Sequence, residues 1–416
     1  VLPPADEEVD SGWKSSIYAP TNYYPRKEGD GPQSNLDLHW VHGYDGKNGR
    51  HNVRYIFSEQ APEFPDPCCA VYPAASLVVV YSRKMREQRF YQGHSVWVTA
   101  LAIHPCGNLV ASADQEGEIH LWDALTLTVK RTLKGLGRVG IQLLNVSPDG
   151  TTIAAVGKDP QHTLTLHSLT TGEIMSSAPG LSAPNNVMDL SFSLDGGELA
   201  IVGKVCIKFF YDLKISSTRA LQSTVGKIGK QGKKQTFFCV EYLKGDNCLA
   251  GCGSGEIYRF VARQLVEVIQ AHAPGEPVLT MRYRASIDRL VTGCKDGFVM
   301  MWRSEGTQNA TSSLSQVGSP VDISEDLDGD GLADSGCLDA AIKSVDVAGN
   351  RILIGTKACD IFEAEVAATP ADTRTLDRVC WGHGAGELWG LSVHPSREEF
   401  VTAGDDGTVR CWSLRS

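Results

Sequence analysis

Side chains able to ligate or exchange protons fall along this chain in three patterns. The first is Asp326-Leu-Asp-Gly-Asp-Gly-Leu-Ala-Asp334, with acids at offsets of two and Gly331 after the third. Acids so spaced form the front half of a calcium loop, but that loop needs a bidentate glutamate at its twelfth position, where Cys337 stands. The stretch reads as an exposed acidic loop. The second pattern is Lys227, Lys230, Lys233 and Lys234, separated largely by glycine. Four flexible cations make a positive spot suited to an acidic partner surface. The third is a scatter of 12 cysteines and 11 histidines. No paired Cys-x-x-Cys sets occur, which argues against zinc and for buried thiols in a reducing cytoplasmic setting. No serine or cysteine sits in a nucleophile-elbow context. The pattern assigns no catalytic residue, no cofactor and no metal.

The elements that must position these groups are short strands. From Gly382 to Trp412 three alternating runs, Leu388 to Val393, Glu399 to Ala403 and Thr408 to Trp412, are separated by His394-Pro395 and Asp405-Asp406-Gly407. Alternation over five or six residues with an Asp-Gly turn predicts hairpins. One such unit has two faces and two open edges, and stacking copies radially covers them. Six further copies precede it. Their third strands are Ile119 to Asp123, Leu164 to His167, Cys206 to Phe210, Glu256 to Phe260, Phe298 to Trp302 and Asp360 to Glu365. His94, His104, His272, His383 and His394 fall at repeat positions, so they read as structural. The Gly-His start and Trp end of the seventh copy resemble a WD40 repeat. That resemblance implies a bonded set of His383, Asp406 and Trp412. The first copy offers His94 and Trp122, with Glu116 where the acid would sit; the fifth offers His272, Asp296 and Trp302. The expected fold is all-β, a seven-bladed WD40 propeller over residues 86–416. Its closure is expected from an outer strand at 86–92 pairing with 408–414.

Composition agrees with a large turn-rich domain: 416 residues, 42% hydrophobic, with 42 glycines and 19 prolines. The net charge of −10 disfavours nucleic-acid and anionic-membrane binding. No apolar run approaches the roughly 18 residues of a membrane helix. The chain begins at Val1 rather than Met, which reads as a fragment or trimmed chain. Residues 1–35 read as a polar leader, interrupted by Trp13, Tyr18, Tyr23 and Tyr24.

Residues 36–57 read alone as a strand, a glycine-rich loop and a second strand. Gly43, Gly46 and Gly49 lack the strand-to-helix context and Lys-Ser/Thr pair of a phosphate loop. The stretch resembles the HELP motif of the echinoderm microtubule-associated protein-like (EML) family, at Leu36, Leu38, Val41, Gly43, Tyr44, Gly46, Arg50 and Asn52. It departs from it at Asp45 and Gly49. Ile207-Lys-Phe-Phe210, Gly226-Lys-Ile-Gly-Lys230 and His383 to Trp412 carry the same resemblance. It implies a HELP segment over 36–85 and the first of two joined propellers, with apolar HELP surface for the second half to cover. It also implies a non-enzymatic scaffold that binds tubulin or microtubules, with other microtubule-associated proteins, in the cytoplasm and cytoskeleton, in structures such as cilia. The alternative is a general WD40 adaptor in a signalling or ubiquitin complex.

Overall fold

The computed structural model describes residues 37–414 apart from 57–68, 136, 182–185, 215–220, 246, 305–313, 324–338, 366–374 and 385. The acidic stretch Asp326 to Asp334 and the leader aromatics Trp13, Tyr18, Tyr23 and Tyr24 lie outside them. Two units are distinguished, Val1–His39 and Trp40–Ser416, and the second carries the fold.

All regular structure among the described residues is β. Second strands such as Val110-Ala-Ser-Ala113, Ile153-Ala-Ala-Val156 and Leu199-Ala-Ile-Val202 are buried on both faces. Small and β-branched side chains suit such positions, because sheets pack closely on either side. Copies one to six each form a four-stranded antiparallel sheet. Their first strands are Val98–Ile103, Ile141–Val146, Val187–Phe192, Phe237–Leu243, Val278–Arg284 and Ile342–Ala348. An N-terminal sheet precedes them: Arg54–Ile56, Cys69–Ala74, Leu77–Ser82 and Glu87–Tyr91, paired in that order. The seventh copy forms a three-stranded sheet of Leu388–Val393, Glu399–Gly404 and Val409–Ser413.

The seven first strands of the four-stranded sheets touch in one closed circuit, with Arg54–Ile56 between Ile342–Ala348 and Val98–Ile103. Among the described residues the ring therefore has seven blades, but the N-terminal sheet supplies one and the seventh copy does not. This corrects the expected closure. Glu87–Tyr91 pairs with Leu77–Ser82, Val78 opposite Tyr91. Val409–Ser413 pairs with Glu399–Gly404 and is the outer edge of its sheet.

Polar bonds seat the N-terminal strand against copy six. Val53 N donates to Ser344 Oγ at 3.0 Å, Arg54 Nη1 to the Val345 carbonyl at 3.0 Å, and Tyr55 N to Asp346 Oδ2 at 2.9 Å. Tyr55 Oη donates to Glu363 at 2.7 Å, and Arg83 bridges Glu363 and Asp377. Val53 and Tyr55 are fully buried. Burying a side chain of this kind contributes about 1.5–3 kcal/mol.

The preceding stretch lies on the same blade. Tyr44 Oη donates to the Thr356 carbonyl at 2.9 Å, and Gln88 exchanges two hydrogen bonds with the Val41 backbone. A side chain at Gly46 would place its Cβ 2.1 Å from the Thr356 carbonyl, and one at Gly382 would meet Gly43 Cα at 2.6 Å. These glycines are small because other backbone lies against them. Tyr44 and Val53 are buried inside the ring, while Leu38 and Met85 of the 36–85 segment stand exposed; a larger apolar surface is found elsewhere among the described residues. It lies on the C-terminal sheet, where Leu391 and Val393 are exposed on one face and Val401 and Val409 on the other. That sheet touches the ring through His42, whose ring centroid lies 4.4 Å from that of Trp412.

Asp346→Ala would remove the acceptor of Tyr55 N and leave Arg284 without its 3.1 Å partner. Urea denaturation should show a loss of about 2–4 kcal/mol, because the buried Tyr55 amide loses its acceptor and the partly buried Arg282 and Arg284 lose a counter-charge. Asp377→Ala, an exposed partner of Arg83, should cost about 0–1 kcal/mol.

Candidate functional site

Histidine-centred hydrogen-bond sets fix turns in copies one and seven. In copy one His94 Nδ1 meets Asp114 Oδ2 at 2.8 Å, and its Nε2 meets Ser112 Oγ at 2.7 Å. Trp122 Nε1 donates to the same Ser112 hydroxyl at 3.0 Å. Asp114 Oδ1 accepts the Glu116 and Glu118 amides at 3.0 Å each, so this acid closes the turn as well. The carboxylate at Glu116 points to solvent. In copy seven His383 Nδ1 meets Asp406 at 3.0 Å, and its Nε2 meets Thr402 Oγ1 at 2.8 Å. Trp412 Nε1 donates to Thr402 at 2.6 Å. Burial raises the Asp406 pKa, but hydrogen bonds from His383, Thr408 and Gly384 outweigh it and hold this carboxyl well below the usual range.

Copy five is unfinished. His272 Nε2 meets Thr292 Oγ1 at 2.8 Å, and Trp302 Nε1 donates to Thr292 at 3.0 Å. Asp296 accepts the Phe298 amide at 3.1 Å, while His272 Nδ1 is buried without a hydrogen bond. Burial holds the His272 pKa down at about 4, against a small opposing pull from Asp296. The sequence reading missed Ser112, Thr292, Thr402 and Asp114. The hydroxyls carried a signal, since each lies ten residues before its tryptophan.

The ring's axis is charged. Asp346 Oδ1 lies 3.1 Å from Arg284 and 3.9 Å from Arg282, and Glu241 Oε1 lies 3.5 Å from Arg282. Burial opposes ionisation of Asp346, but Arg284, Arg282 and Arg54 together hold its pKa below the ordinary value. Asp189 has a weaker escort, with Arg54 exerting a smaller influence than burial, Glu241 or the amide bonds. Burial, with Glu241 adding to it, pushes its pKa up to about 7 despite amide bonds from Val240 and Leu190. Burial and the neighbouring Arg54, Arg50 and Arg282 push the His51 pKa well down, and its Nε2 lies 3.5 Å from Asp189 Oδ2. At one end of the axis a cavity of 780 Å³ opens among the first turns, lined by Arg54, Arg282, Arg284, Glu241 and Asp346.

The predicted lysines lie between the blades of copies three and four. Lys227 pairs with the outer strand Gln264–Gln270: its amide donates to the Arg263 carbonyl at 3.0 Å, and its carbonyl accepts the Leu265 amide at 2.9 Å. Lys233 N donates to Tyr258 Oη at 2.8 Å, and Ile228 packs against the core. The backbone is thus held in register while Lys227, Lys230, Lys233 and Lys234 are all exposed. His104 and Cys106, 2.9 Å apart, belong to the first turn of copy one, where His104 Nε2 reaches the Gly150 carbonyl.

Fold and bonded sets together define a WD40-repeat β-propeller. The repeat described as WD domain, G-beta repeat matches residues 85–123 and 374–413. Among solved structures, the β-propeller domain of Myceliophteria thermophila Cps50 (Swd1) superposes with a TM-score of 0.55 at 15% identity, over 76% of this chain and 96% of that one. The computationally designed Ika8 protein gives 0.52 at 19%, over 90% and 100%. Relatives by sequence cover nearly the whole chain. Echinoderm microtubule-associated protein-like 2 of Mus musculus is 27% identical over 92% of this chain and 55% of its own length. Echinoderm microtubule-associated protein-like 3 of Homo sapiens is 25% identical over 92% and 43%. The ciliary WD repeat-containing protein ctxp80 of Euplotoides octocarinatus is 23% identical over 93% and 50%. The chain is similar to these echinoderm microtubule-associated protein-like and ciliary WD repeat proteins across more than nine-tenths of its own length, and spans about half the length of these relatives.

Two outcomes follow. Asp114→Ala should cost about 2–4 kcal/mol in calorimetric melting, because it leaves His94 and two turn amides unpaired, whereas Glu116→Ala should change stability by under about 0.5 kcal/mol. Asp189 has a folded pKa of about 7 against an ordinary 3.8, so its contribution to stability is present below pH 4 and lost as pH rises through 7. Asp189→Asn should therefore gain on the wild type between pH 5 and 8, by something on the order of 1–4 kcal/mol in urea midpoints converted to free energy.

Proposed function

We propose that this chain is a non-enzymatic scaffold that attaches to microtubules, in microtubule-based structures such as cilia. The observation that carries the reading is its kinship with microtubule-associated and ciliary WD repeat proteins across more than nine-tenths of its length. A scaffold needs a stiff body and outward-facing contacts. The ring offers the first through its closed circuit of strands, and the lysine segment offers the second. In a chain of net charge −10, four exposed cations on a backbone pinned to a strand make a local site for an acidic surface. Tubulin is the acidic partner proposed, with other microtubule-associated proteins on the remaining loops. The segment 36–85 is proposed to be the HELP motif, whose described residues form an edge and a blade of the ring. The exposed faces of the C-terminal sheet are proposed to dock against further sheets, as the family resemblance implies.

A general adaptor is the second reading, favoured by the 780 Å³ cavity at the axis mouth. Its mixed acids and arginines suit a polar peptide.

Replacing Lys227, Lys230, Lys233 and Lys234 by glutamate and pelleting with purified microtubules tests the proposal. Binding should weaken by about tenfold at low salt, and the gap should narrow at high salt as charges are screened. Unchanged binding would dismiss the lysine segment, and no pelleting of the wild-type chain would favour the adaptor.

A further inference from the structure

Three blades carry the histidine set, and comparing them isolates one anomaly. The strand-end position two residues after the hydroxyl is Asp114 in copy one, Gly404 in copy seven and Cys294 in copy five. The turn position two residues later is Glu116, Asp406 and Asp296. In copy one the first position supplies the acid for His Nδ1, and in copy seven the second does. In copy five both positions carry donors, Cys294 and Asp296, yet neither hydrogen-bonds His272 Nδ1. The imidazole is 3% exposed, its Nε2 is fixed by Thr292, and its free nitrogen is buried. Such an orphaned nitrogen is costly unless something accepts its lone pair or its proton.

Donor atoms of His272, Cys294 and Asp296 lie within 4.8 Å of one another. We propose that these three residues bind one zinc-class divalent cation. Nitrogen, thiolate and carboxylate together suit a borderline-soft ion without geometric preference of its own, as Zn²⁺ is. Bonds of about 2.0–2.3 Å place tetrahedral donors about 3.3–3.8 Å apart, so the three close inward by small side-chain turns. Metal binding displaces the Cys294 thiol proton to buffer as the metal–sulfur bond forms, and no oxidation occurs. Water fills the fourth position. The Thr292 bond to Nε2 fixes the ring, as an outer-shell partner does for a ligating histidine. The sequence spacing argued against zinc because the cysteine stands alone; the fold brings the histidine to it from the preceding loop.

Cobalt is the probe, since a thiolate-bound tetrahedral cobalt ion gives a charge-transfer band in the near ultraviolet. The full chain, stripped by chelator, is titrated with Co²⁺ and then with Zn²⁺ as competitor. One equivalent should develop the band, and zinc should displace it. Cys294→Ser should abolish the band and weaken zinc binding by about tenfold or more. Asp296→Asn, which can still accept the Phe298 amide, should keep a band but bind at least about tenfold more weakly. Cys106→Ser, at an exposed thiol, should match the wild type. Zinc should raise the melting temperature of the wild type but not of Cys294→Ser, while the metal-free melting points of the two stay close. The proposal is overturned if the wild type shows no band with cobalt in excess, or if Cys294→Ser binds zinc as the wild type does.

Discussion

The insertion of Arg54–Ile56 between the first strands of copies six and one holds this structure together. Without it six blades would surround an axis with a gap where a seventh belongs. The seam is made of bonds that cannot be given up singly. Asp346 accepts from Tyr55 N, and it also balances Arg284 and Arg282 on the axis. Ser344 both donates to and accepts from the Val53 backbone. Because these groups are buried, each unmade bond carries its full desolvation cost. The seam links residues nearly three hundred positions apart, so the ring completes only after almost all of its chain is in place.

That constraint explains what the C-terminal sheet is for. It has the full histidine, threonine, aspartate and tryptophan set, yet its apolar side chains are largely in solvent. Local bonding shapes a blade, but neighbours give it a core. Here the ring's seven places are taken, and the sheet leans on His42 and Trp381 through ring contacts at Trp412. The same segment that plugs the ring therefore also meets the sheet outside it. Large exposed apolar patches of this kind mark surfaces of contact.

Copies one to six were legible because their strands alternate and their turns carry glycine or aspartate. The N-terminal blade was not, and the reason is local. Its hairpin from Cys69–Ala74 to Leu77–Ser82 turns at Ala75, with φ at 53°, and the next turns at Arg86, with φ at 52°. Neither has the glycine or asparagine that signals a left-handed turn. Glu87–Tyr91 then looked like a strand without a sheet and was matched to the wrong partner. The lysine segment lies between copies three and four, and its pairing with Gln264–Gln270 is non-local and left no sequence mark. In copy one the acid was sought at Glu116, and Asp114 took its role two residues earlier, where the strand end aims it at His94.

The central claim is that the ring closes through its N-terminal sheet and not through its last strand. A chain ending at Cys380 tests it most directly, by urea unfolding followed through tryptophan fluorescence and circular dichroism. The account predicts a single cooperative transition with a midpoint near that of the longer chain, since all seven blades are still present. Loss of the cooperative transition would contradict it, and would return Val409–Ser413 to the ring.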